Sequence, residues 1–201
     1  MSLLLLAALA ASIPEQDGNA LDRSAEALMA SMKSDGATAV FKLFSYLGST
    51  IAIIGITLVA SFIIGWARGW IRGAAILAGT ALAYVVNVGL KLWLDRQRPA
   101  AAWGIEADGA SFPSGNAMLA TAMFGLLVCA IIQFSGASRM MKAACSVVSV
   151  ILILMMGLSR VYFHVHYITD IFGGYTAGMA VISLIMIILN TIHKKRGAAL
   201  S

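Results

Sequence analysis

Charged side chains are scarce in this sequence of 201 residues: Asp, Glu, Lys and Arg make up 11% of it, and hydrophobic residues make up 60%. A soluble globular domain carries about 25% charged residues, so this chain has too little polar surface to stay dispersed in water. The composition therefore excludes a soluble domain and a disordered chain. The net charge is +5, but the charges are placed as in a membrane protein, and we expect no nucleic-acid partner.

Cysteine and proline are also rare. The two cysteines, Cys129 and Cys145, lie inside long apolar runs. They are therefore interpreted as small core residues, not as a disulfide framework or a metal site. The three prolines all fall outside the centres of the apolar runs, so none of them interrupts a helix there.

Five apolar stretches carry no charge and are long enough, or nearly long enough, to cross a bilayer. A span needs about 20 apolar residues, and inside lipid only helices or closed barrels satisfy every backbone group. Continuous runs favour helices over the alternating strands of a barrel. The sequence predicts an all-α, polytopic transmembrane helical bundle. Its five spans are residues 43–67, 73–90, 109–138, 143–159 and 171–192.

Residues 1–42 are predicted to form an N-terminal unit ahead of a transmembrane domain at 43–201. The apolar run at 3–11 is too short to cross a membrane alone, so a signal peptide, an interfacial segment and a short, tilted sixth span all stay open. Residues 19–33 have an amphipathic pattern with Asn19 as a suitable N-cap, which predicts an interfacial helix. Its apolar face comprises Leu21, Ala25, Leu28, Met29 and Met32, and Asp22, Arg23, Glu26 and Lys33 lie elsewhere.

The charges also predict the orientation of the spans. Lys and Arg follow spans one, three and five without a single carboxylate, whereas all nine Asp and Glu residues fall on the other side. Excess Lys and Arg mark the cytoplasmic side, so the loop at 92–113 and the stretch at 160–170 are expected to face outward. The basic residues are Arg68, Arg72, Arg139, Lys142, Lys194, Lys195 and Arg196.

Three polar clusters lie at span ends on this outer face, where charge near the bilayer is costly and indicates a site. In the first, Lys91, Asp95 and Arg98 are spaced i, i+4, i+7, so a helix that continues to Pro99 sets them on one face. A lysine beside a planar guanidinium suits a phosphate. The alternative is snorkelling at the interface with a Lys91–Asp95 pair.

The second cluster runs from Ser111 to Asn116, directly before an apolar helix. Ser114 is a good N-cap, and the first N–H groups of the helix, beginning at Gly115, point outward. Such a helix end binds anions. An ordinary capped helix start is the alternative.

The third cluster contains Arg160, His166 and Asp170. His166 and Asp170 are i, i+4 apart, so on a helix the carboxylate accepts a hydrogen bond from the imidazole, fixes its tautomer and makes the other ring nitrogen a better nucleophile. A metal site is the rival use. It would need His164 and further ligands such as Glu106 or Asp108, and we expect no metal and no other cofactor.

Taken in order, these clusters resemble the type-2 phosphatidic acid phosphatase superfamily of membrane lipid phosphatases, which is related to the vanadium haloperoxidases. The family pattern is KxxxxxxRP, then PSGH, then SRxxxxxHxxxD, and about the last 130 residues of the chain carry it. The resemblance implies a helical bundle, usually of six spans, with a metal-independent site at the outer face. It assigns His166 as the nucleophile that forms a phosphohistidine and Asp170 as the group that orients it. The phosphoryl oxygens would be held by Lys91, Arg98, Ser114, Gly115 and Arg160.

One position departs from the pattern: Asn116 stands where the family has histidine. Asparagine has no titratable proton near neutral pH, so it forms hydrogen bonds but does not act as a general acid or base. Three explanations stay open. The leaving group needs little protonation, as with a lipid diphosphate; another group such as His164 substitutes, although i, i+2 residues point apart; or the chain was altered or has drifted into a protein that binds and turns over slowly or not at all.

The sequence therefore predicts an integral membrane phosphatase of a lipid phosphate or diphosphate, of the polyprenyl diphosphate, phosphatidylglycerophosphate or phosphatidic acid type. We expect it in the bacterial cytoplasmic (inner) membrane with its active site on the outer, periplasmic face. The alternatives are a lipid-to-lipid phosphotransferase and a non-catalytic lipid-phosphate binder. A transporter would need charges near the midplane. The sequence does not predict an oligomeric state.

Overall fold

The computed structural model describes residues 18–100, 102–133 and 136–198, and within these ranges every regular element is a helix. The prediction of an all-α bundle is therefore confirmed. The apolar run at 3–11 lies outside the described residues. The helices are α1 (Ala20–Ser31), α2 (Asp35–Leu47), α3 (Thr50–Arg68), α4 (Trp70–Leu94), α5 (Gly115–Ile132), α6 (Arg139–Tyr162) and α7 (Ile168–Ala198).

Five of these helices, α3 to α7, are long and apolar enough to cross a membrane, as predicted, with Ile168–Ile192 as the apolar part of α7. The first span begins later than residue 43, because Gly48 ends α2 and the Ser49 hydroxyl caps a new helix by accepting from the N–H of Ala52 (3.3 Å). The third span is shorter than 109–138, since the polar residues before Gly115 form a loop.

Helix α5 is the centre of the bundle and packs against α3, α4, α6 and α7. Two glycines of α7 allow a close approach to it. A Cβ atom at Gly174 would lie 2.7 Å from the carbonyl oxygen of Ser114, and one at Gly178 would lie 2.7 Å from Cβ of Thr121. This contact brings the first turn of α7 beside the first turn of α5.

The other spans carry exposed apolar side chains on their outer surfaces, as expected of helices in contact with lipid. Examples are Ile51 on α3, Val85 on α4 and Val147 on α6. Because α4 and α6 run opposite to α5 and α7, the end of α4, the start of α5, the end of α6 and the start of α7 lie at one end of the bundle. The basic segments lie at the opposite end.

The N-terminal helices pack against this same polar end. Asn19 caps α1 as predicted, and its side chain and that of Asp22 form a reciprocal capping box. On the predicted apolar face Met29 is buried, whereas Leu21 and Leu28 are exposed; Asp22, which lies outside that face, is fully buried. The reason is that Asp22 has buried ionic and hydrogen-bond partners.

Helix α2 packs on the end of α6. The ring of Phe41 stacks on Tyr162 at 4.3 Å between ring centroids, and the Thr38 hydroxyl lies 2.8 Å from the Tyr162 hydroxyl. Buried residues of α1, α2 and the α6–α7 connection form one hydrophobic cluster. A division of the chain at residue 42 falls inside α2.

Candidate active site

His166 lies in the turn that connects α6 to α7, and Asp170 lies in the first turn of α7. The expectation that both stand on one helix is wrong, because His164 adopts a left-handed conformation (φ 53°) and α7 begins only at Ile168. The turn nevertheless brings Nδ1 of His166 to 3.4 Å from Oδ2 of Asp170. The predicted contact therefore forms through a turn instead of a helix face.

The carboxylate of Asp170 is fully buried and held by several donors. Its Oδ2 accepts from the Ser111 hydroxyl (2.5 Å) and from the N–H of Tyr167 (2.8 Å) besides facing Nδ1 of His166. Since a carboxylate only accepts, the proton of a neutral imidazole sits on Nδ1. The lone pair of the imidazole is then on Nε2, the ring nitrogen that points away from Asp170.

Burial lowers the pKa of His166 to about 4, and the cations of Arg98 and Arg160 act in the same direction while Asp170 opposes them. The imidazole is therefore neutral near pH 7. A neutral imidazole with an oriented Nδ1–H is the form that a nucleophilic histidine requires.

Arg98 reaches the imidazole from the loop that follows α4. Its Nη1 lies 3.2 Å from Nε2 of His166 and also donates to the carbonyl of Val165 (2.7 Å). Its Nε and Nη2 donate to the carbonyls of Gly109 (2.9 Å) and Asp108 (2.8 Å). One guanidinium thus fixes the loop at 108–110 beside the imidazole of His166.

Lys91 stands next to Arg98, as predicted, although the two do not share a helix face. Helix α4 ends at Leu94, because Asp95 takes a left-handed conformation (φ 38°) and turns the chain. Asp95 is exposed, and no Lys91–Asp95 ion pair occurs within the described ranges. Lys91 instead donates to the carbonyl of Ala110, which also accepts from Nη2 of Arg98 (3.4 Å).

The start of α5 closes the other side of the site. The N–H of Ser114 donates to the carbonyl of Asp170 (3.0 Å). Ser114 occupies the N-cap position as predicted, but its side chain makes no capping bond. Its Oγ and the Nδ2 of Asn116 are buried without a hydrogen-bond partner among the described residues. Two polar groups at this helix start are therefore free to bind a ligand.

Gly115 is held in a narrow space. The amide Nδ2 of Asn87 donates to the carbonyl of Pro113 (3.1 Å), and the Oδ1 of Asn87 would lie 3.1 Å from a Cβ atom at position 115. A larger residue would displace this amide. Glycine thus lets α4 approach the first N–H groups of α5.

Arg160 is placed by the last turn of α6. Its Nη1 donates to the hydroxyl of Ser45 on α2 (2.8 Å), and its Nε is buried without a partner in the described part of the chain. His164, four residues further on, lies near Glu26 of α1, and its Nε2 is buried without a partner among the described residues.

Three residues of this site were missed by the sequence analysis. Ser111 donates to Asp170, and Nη1 of Arg96 donates to the other carboxylate oxygen of Asp170 (2.6 Å). Asp22 binds the same guanidinium through Nη2 (3.0 Å). Ser111 and Arg96 lie inside the polar clusters, so their position at the span ends indicated them as site residues. No sequence signal connects Asp22 to a loop more than 70 residues away.

Metal ligands do not cluster here: among the described residues, no three His, Cys, Asp or Glu side chains come together in a set suited to a metal ion.

An apolar cavity of about 300 Å³ opens between α3, α4 and α5. Its lining includes Ile53, Tyr84 and Leu119. Leu119 lies one helical turn below Gly115, and Tyr84 lies two turns before Lys91, so at 1.5 Å per residue the cavity is about 6–10 Å from the polar site along the helices. It lies within the membrane-spanning part of these helices.

Comparison with protein families matches residues 72–194 to the PAP2 superfamily. Phosphatidylglycerophosphatase B of Bacillus subtilis (strain 168) is 29% identical over 101 residues. This match covers 50% of this chain and 50% of that protein, so the chain spans about half the length of the curated relative it matches.

Two solved structures share the fold. The first transmembrane PAP2 type phosphatidylglycerolphosphate phosphatase from Bacillus subtilis superimposes with a TM-score of 0.84 at 24% identity, over 95% of each chain. Aquifex aeolicus LpxE superimposes with a TM-score of 0.67 at 21% identity, over 87% of this chain and 98% of that one. At these identities the structural matches show a shared fold and nothing further.

Proposed function

Because the chain belongs to the PAP2 superfamily, we propose that it is an integral membrane phosphatase that removes phosphate from a lipid phosphate or diphosphate without a metal. The observation that carries this proposal is the neutral imidazole of His166, oriented by Asp170 and contacted by Arg98. A nucleophile, its orienting carboxylate and a phosphate-binding cation thus meet at one point.

The phosphoryl group would be held by three cations and a helix start. Lys91, Arg98 and Arg160 converge here, and the charges of Arg98 and Arg160 both act on His166. The free Oγ of Ser114 and the N–H of Gly115 complete the set. Phosphoryl transfer depends mostly on positioning and charge neutralisation, which this arrangement provides.

In the proposed reaction, Nε2 of His166 forms a bond to phosphorus while the bond between phosphorus and the leaving oxygen breaks. The leaving oxygen keeps the electron pair of that bond. The Nη1–H of Arg98 that faces Nε2 in the structure is then free to bind a phosphoryl oxygen. In the second step the oxygen of a water molecule forms a bond to phosphorus while the bond between Nε2 and phosphorus breaks. Nε2 keeps the electron pair of that bond, both protons of the water leave with the phosphate as H₂PO₄⁻, and the imidazole is neutral again.

The choice of leaving group follows from Asn116. Its side chain has no titratable proton to give to a lipid alkoxide. When the terminal phosphoryl group of a lipid diphosphate is transferred, the leaving group is instead a lipid phosphate, which departs more readily without a proton. Polyprenyl diphosphates therefore suit this chain better than phosphatidic acid or phosphatidylglycerophosphate. The apolar cavity beneath Lys91 is suited to part of the lipid tail.

We place the site on the outer, periplasmic face of the bacterial cytoplasmic membrane. The reason is that Arg68, Arg72, Arg139 and Lys142 lie at the opposite end of the bundle, and excess Lys and Arg mark the cytoplasmic side.

The test is phosphate release from lipid monophosphates and diphosphates with the same tail, in detergent micelles. We expect release from the diphosphates by the parent protein and none by His166→Ala. His164→Asn is the matched control, since asparagine tolerates the left-handed conformation of that residue. Activity that persists in His166→Ala would refute the assignment.

A non-catalytic lipid-phosphate binder is the second candidate, and the unpartnered Nδ2 of Asn116 favours it. An amide at this position binds phosphate without promoting turnover. Retention of lipid phosphate by the parent protein without release would support this function. Transfer of the phosphoryl group to a second lipid instead of water would identify a phosphotransferase in the same assay.

A further inference from the structure

Asp22 is a fully buried carboxylate in the first turn of α1, a helix that lies outside the membrane-spanning bundle. A carboxylate is almost never fully buried unless it is paired. It pairs with Arg96, whose Nη2 donates to Oδ2 of Asp22 at 3.0 Å. Arg96 is itself buried, so this ion pair is shielded from water.

Arg96 binds two carboxylates at once. Its Nη1 donates to Oδ1 of Asp170 (2.6 Å) while Nη2 donates to Asp22. The guanidinium also lies over the ring of Tyr167, at 4.2 Å from the centroid. A continuous chain of contacts therefore leads from Asp22 through Arg96 and Asp170 to His166.

Asp22 also forms hydrogen bonds with Thr169, the residue directly before Asp170. The N–H of Thr169 donates to Oδ1 of Asp22 (3.0 Å), and its hydroxyl donates to the same oxygen (2.8 Å). Nη1 of Arg96 donates to that hydroxyl (2.8 Å). Asp22 thus holds both the backbone and the cation that position Asp170.

The formal charges of Asp22, Arg96 and Asp170 explain the effect of sharing one guanidinium between two carboxylates. If Arg96 faced Asp170 alone, one cation would neutralise one carboxylate, and Asp170 would be a weaker acceptor for the Nδ1–H of His166. With Asp22 present, the three groups carry a net charge of −1, so Asp170 keeps much of its negative charge toward the imidazole. Asp22 therefore affects the nucleophile without touching it.

We propose that Asp22 is a positioning residue of the active site, which shares Arg96 with Asp170 so that this carboxylate remains a strong hydrogen-bond acceptor for His166. The inference rests on the proposed function. It makes α1 a part of the catalytic apparatus, although the matched family region begins only at residue 72.

The competing interpretation is that Asp22 only docks α1. We would separate the two with Asp22→Asn, which keeps the shape of the side chain and one acceptor oxygen but removes the charge and replaces the other acceptor by an NH₂ group. Asp35→Asn is the matched control, because Asp35 is the exposed carboxylate in the first turn of α2.

The first measurement is the rate of phosphate release. Asp22→Asn should lower kcat by roughly tenfold, which corresponds to a coupling of about 1.4 kcal/mol, and leave KM within about twofold of the parent value, since Asp22 contacts none of the phosphate-binding groups. Asp35→Asn should match the parent. A docking role alone would instead lower the yield and thermal stability of folded protein and leave kcat per folded molecule unchanged.

The second measurement does not need turnover. With ¹⁵N-labelled histidine the chain has three imidazoles, and the His166 signal is identified by its loss in His166→Ala. In Asp22→Asn the Nδ1 proton of His166 should move upfield, because its acceptor is weaker. If the parent released no phosphate but this shift occurred, the proposed function would fail and the coupling would stand.

An Nδ1 proton and a kcat that both stay at parent values in Asp22→Asn would overturn the inference. Should this variant fail to fold, Thr169→Val removes the hydroxyl between Asp22 and Arg96 at nearly constant volume. It should shift the Nδ1 proton in the same direction, and an unchanged signal and kcat there would overturn the inference equally.

Discussion

Replacing Asn116 by histidine is expected to supply the general acid that the chain lacks. Asn116 is the second residue of α5 and follows Gly115 directly, and the N–H of Ser114 binds the carbonyl of Asp170 at 3.0 Å. The buried Nδ2 of Asn116 has no partner among the described residues. A histidine here brings a ring nitrogen with an ordinary pKa of about 6.5 to the same place.

General acid catalysis contributes about 10²–10⁴-fold, or roughly 3–5 kcal/mol of barrier. We expect a gain in this range for lipid monophosphates, whose alkoxide needs a proton as it leaves. The gain for diphosphates should be smaller, because the lipid phosphate that leaves depends less on protonation. The difference between the two gains measures how much the reaction depends on a proton from position 116.

The assay compares initial rates of phosphate release from a monophosphate and a diphosphate with the same tail. Asn116→Gln is the control, since it changes the size of the side chain without adding a titratable group. Equal rates for the parent and Asn116→His on both substrates would refute the role assigned to position 116. An equal gain on the monophosphate and the diphosphate would refute this role as well.

Three further predictions follow from the site, the cavity and the orientation. Because burial lowers the pKa of His166 to about 4, kcat/KM, corrected for ionisation of the substrate, should fall only as the pH drops toward 4; an acid limb near 6.5 would contradict this. Ala81→Phe, which fills the apolar cavity, should raise KM for long-chain lipids but not for a short-chain, water-soluble phosphate, and Ala78→Phe on the same helix should change neither. A membrane-impermeant maleimide added to intact cells should label Gln97→Cys but not Arg139→Cys, and the reverse would place the site on the cytoplasmic side.

Hydropathy predicted the bundle well because every span must contain enough apolar residues to cross the hydrocarbon core of the bilayer. The ends of the spans depend on local chemistry and were predicted less well. The run that begins at residue 43 is divided by Gly48 and Ser49, and α4 ends at Leu94, five residues before Pro99, because Asp95 turns the chain. Aspartate is among the few residue types that enter the left-handed region readily. Asp95 was therefore a sequence signal for the end of α4, but a weaker one than Pro99.

The contacts of the candidate site could be predicted in part. The spacing of His166 and Asp170 indicated their contact, although a turn and not a helix produces it. The burial of Asp22 was not predictable, because an amphipathic pattern treats every carboxylate as solvent-facing. Its partner Arg96 comes from a loop 74 residues away along the chain, and only the packing of α1 brings them together.

The central claim is that Nε2 of His166 becomes covalently phosphorylated, and the most direct test is to trap that species. The protein is mixed with a ³²P-labelled lipid diphosphate, quenched in alkali after milliseconds, and digested for mass spectrometry. We predict an acid-labile, alkali-stable phosphate on the peptide that contains His166, present in the parent and absent from His166→Ala. Phosphate release by the parent without label on this peptide at any time point, or label that persists in His166→Ala, would contradict the account.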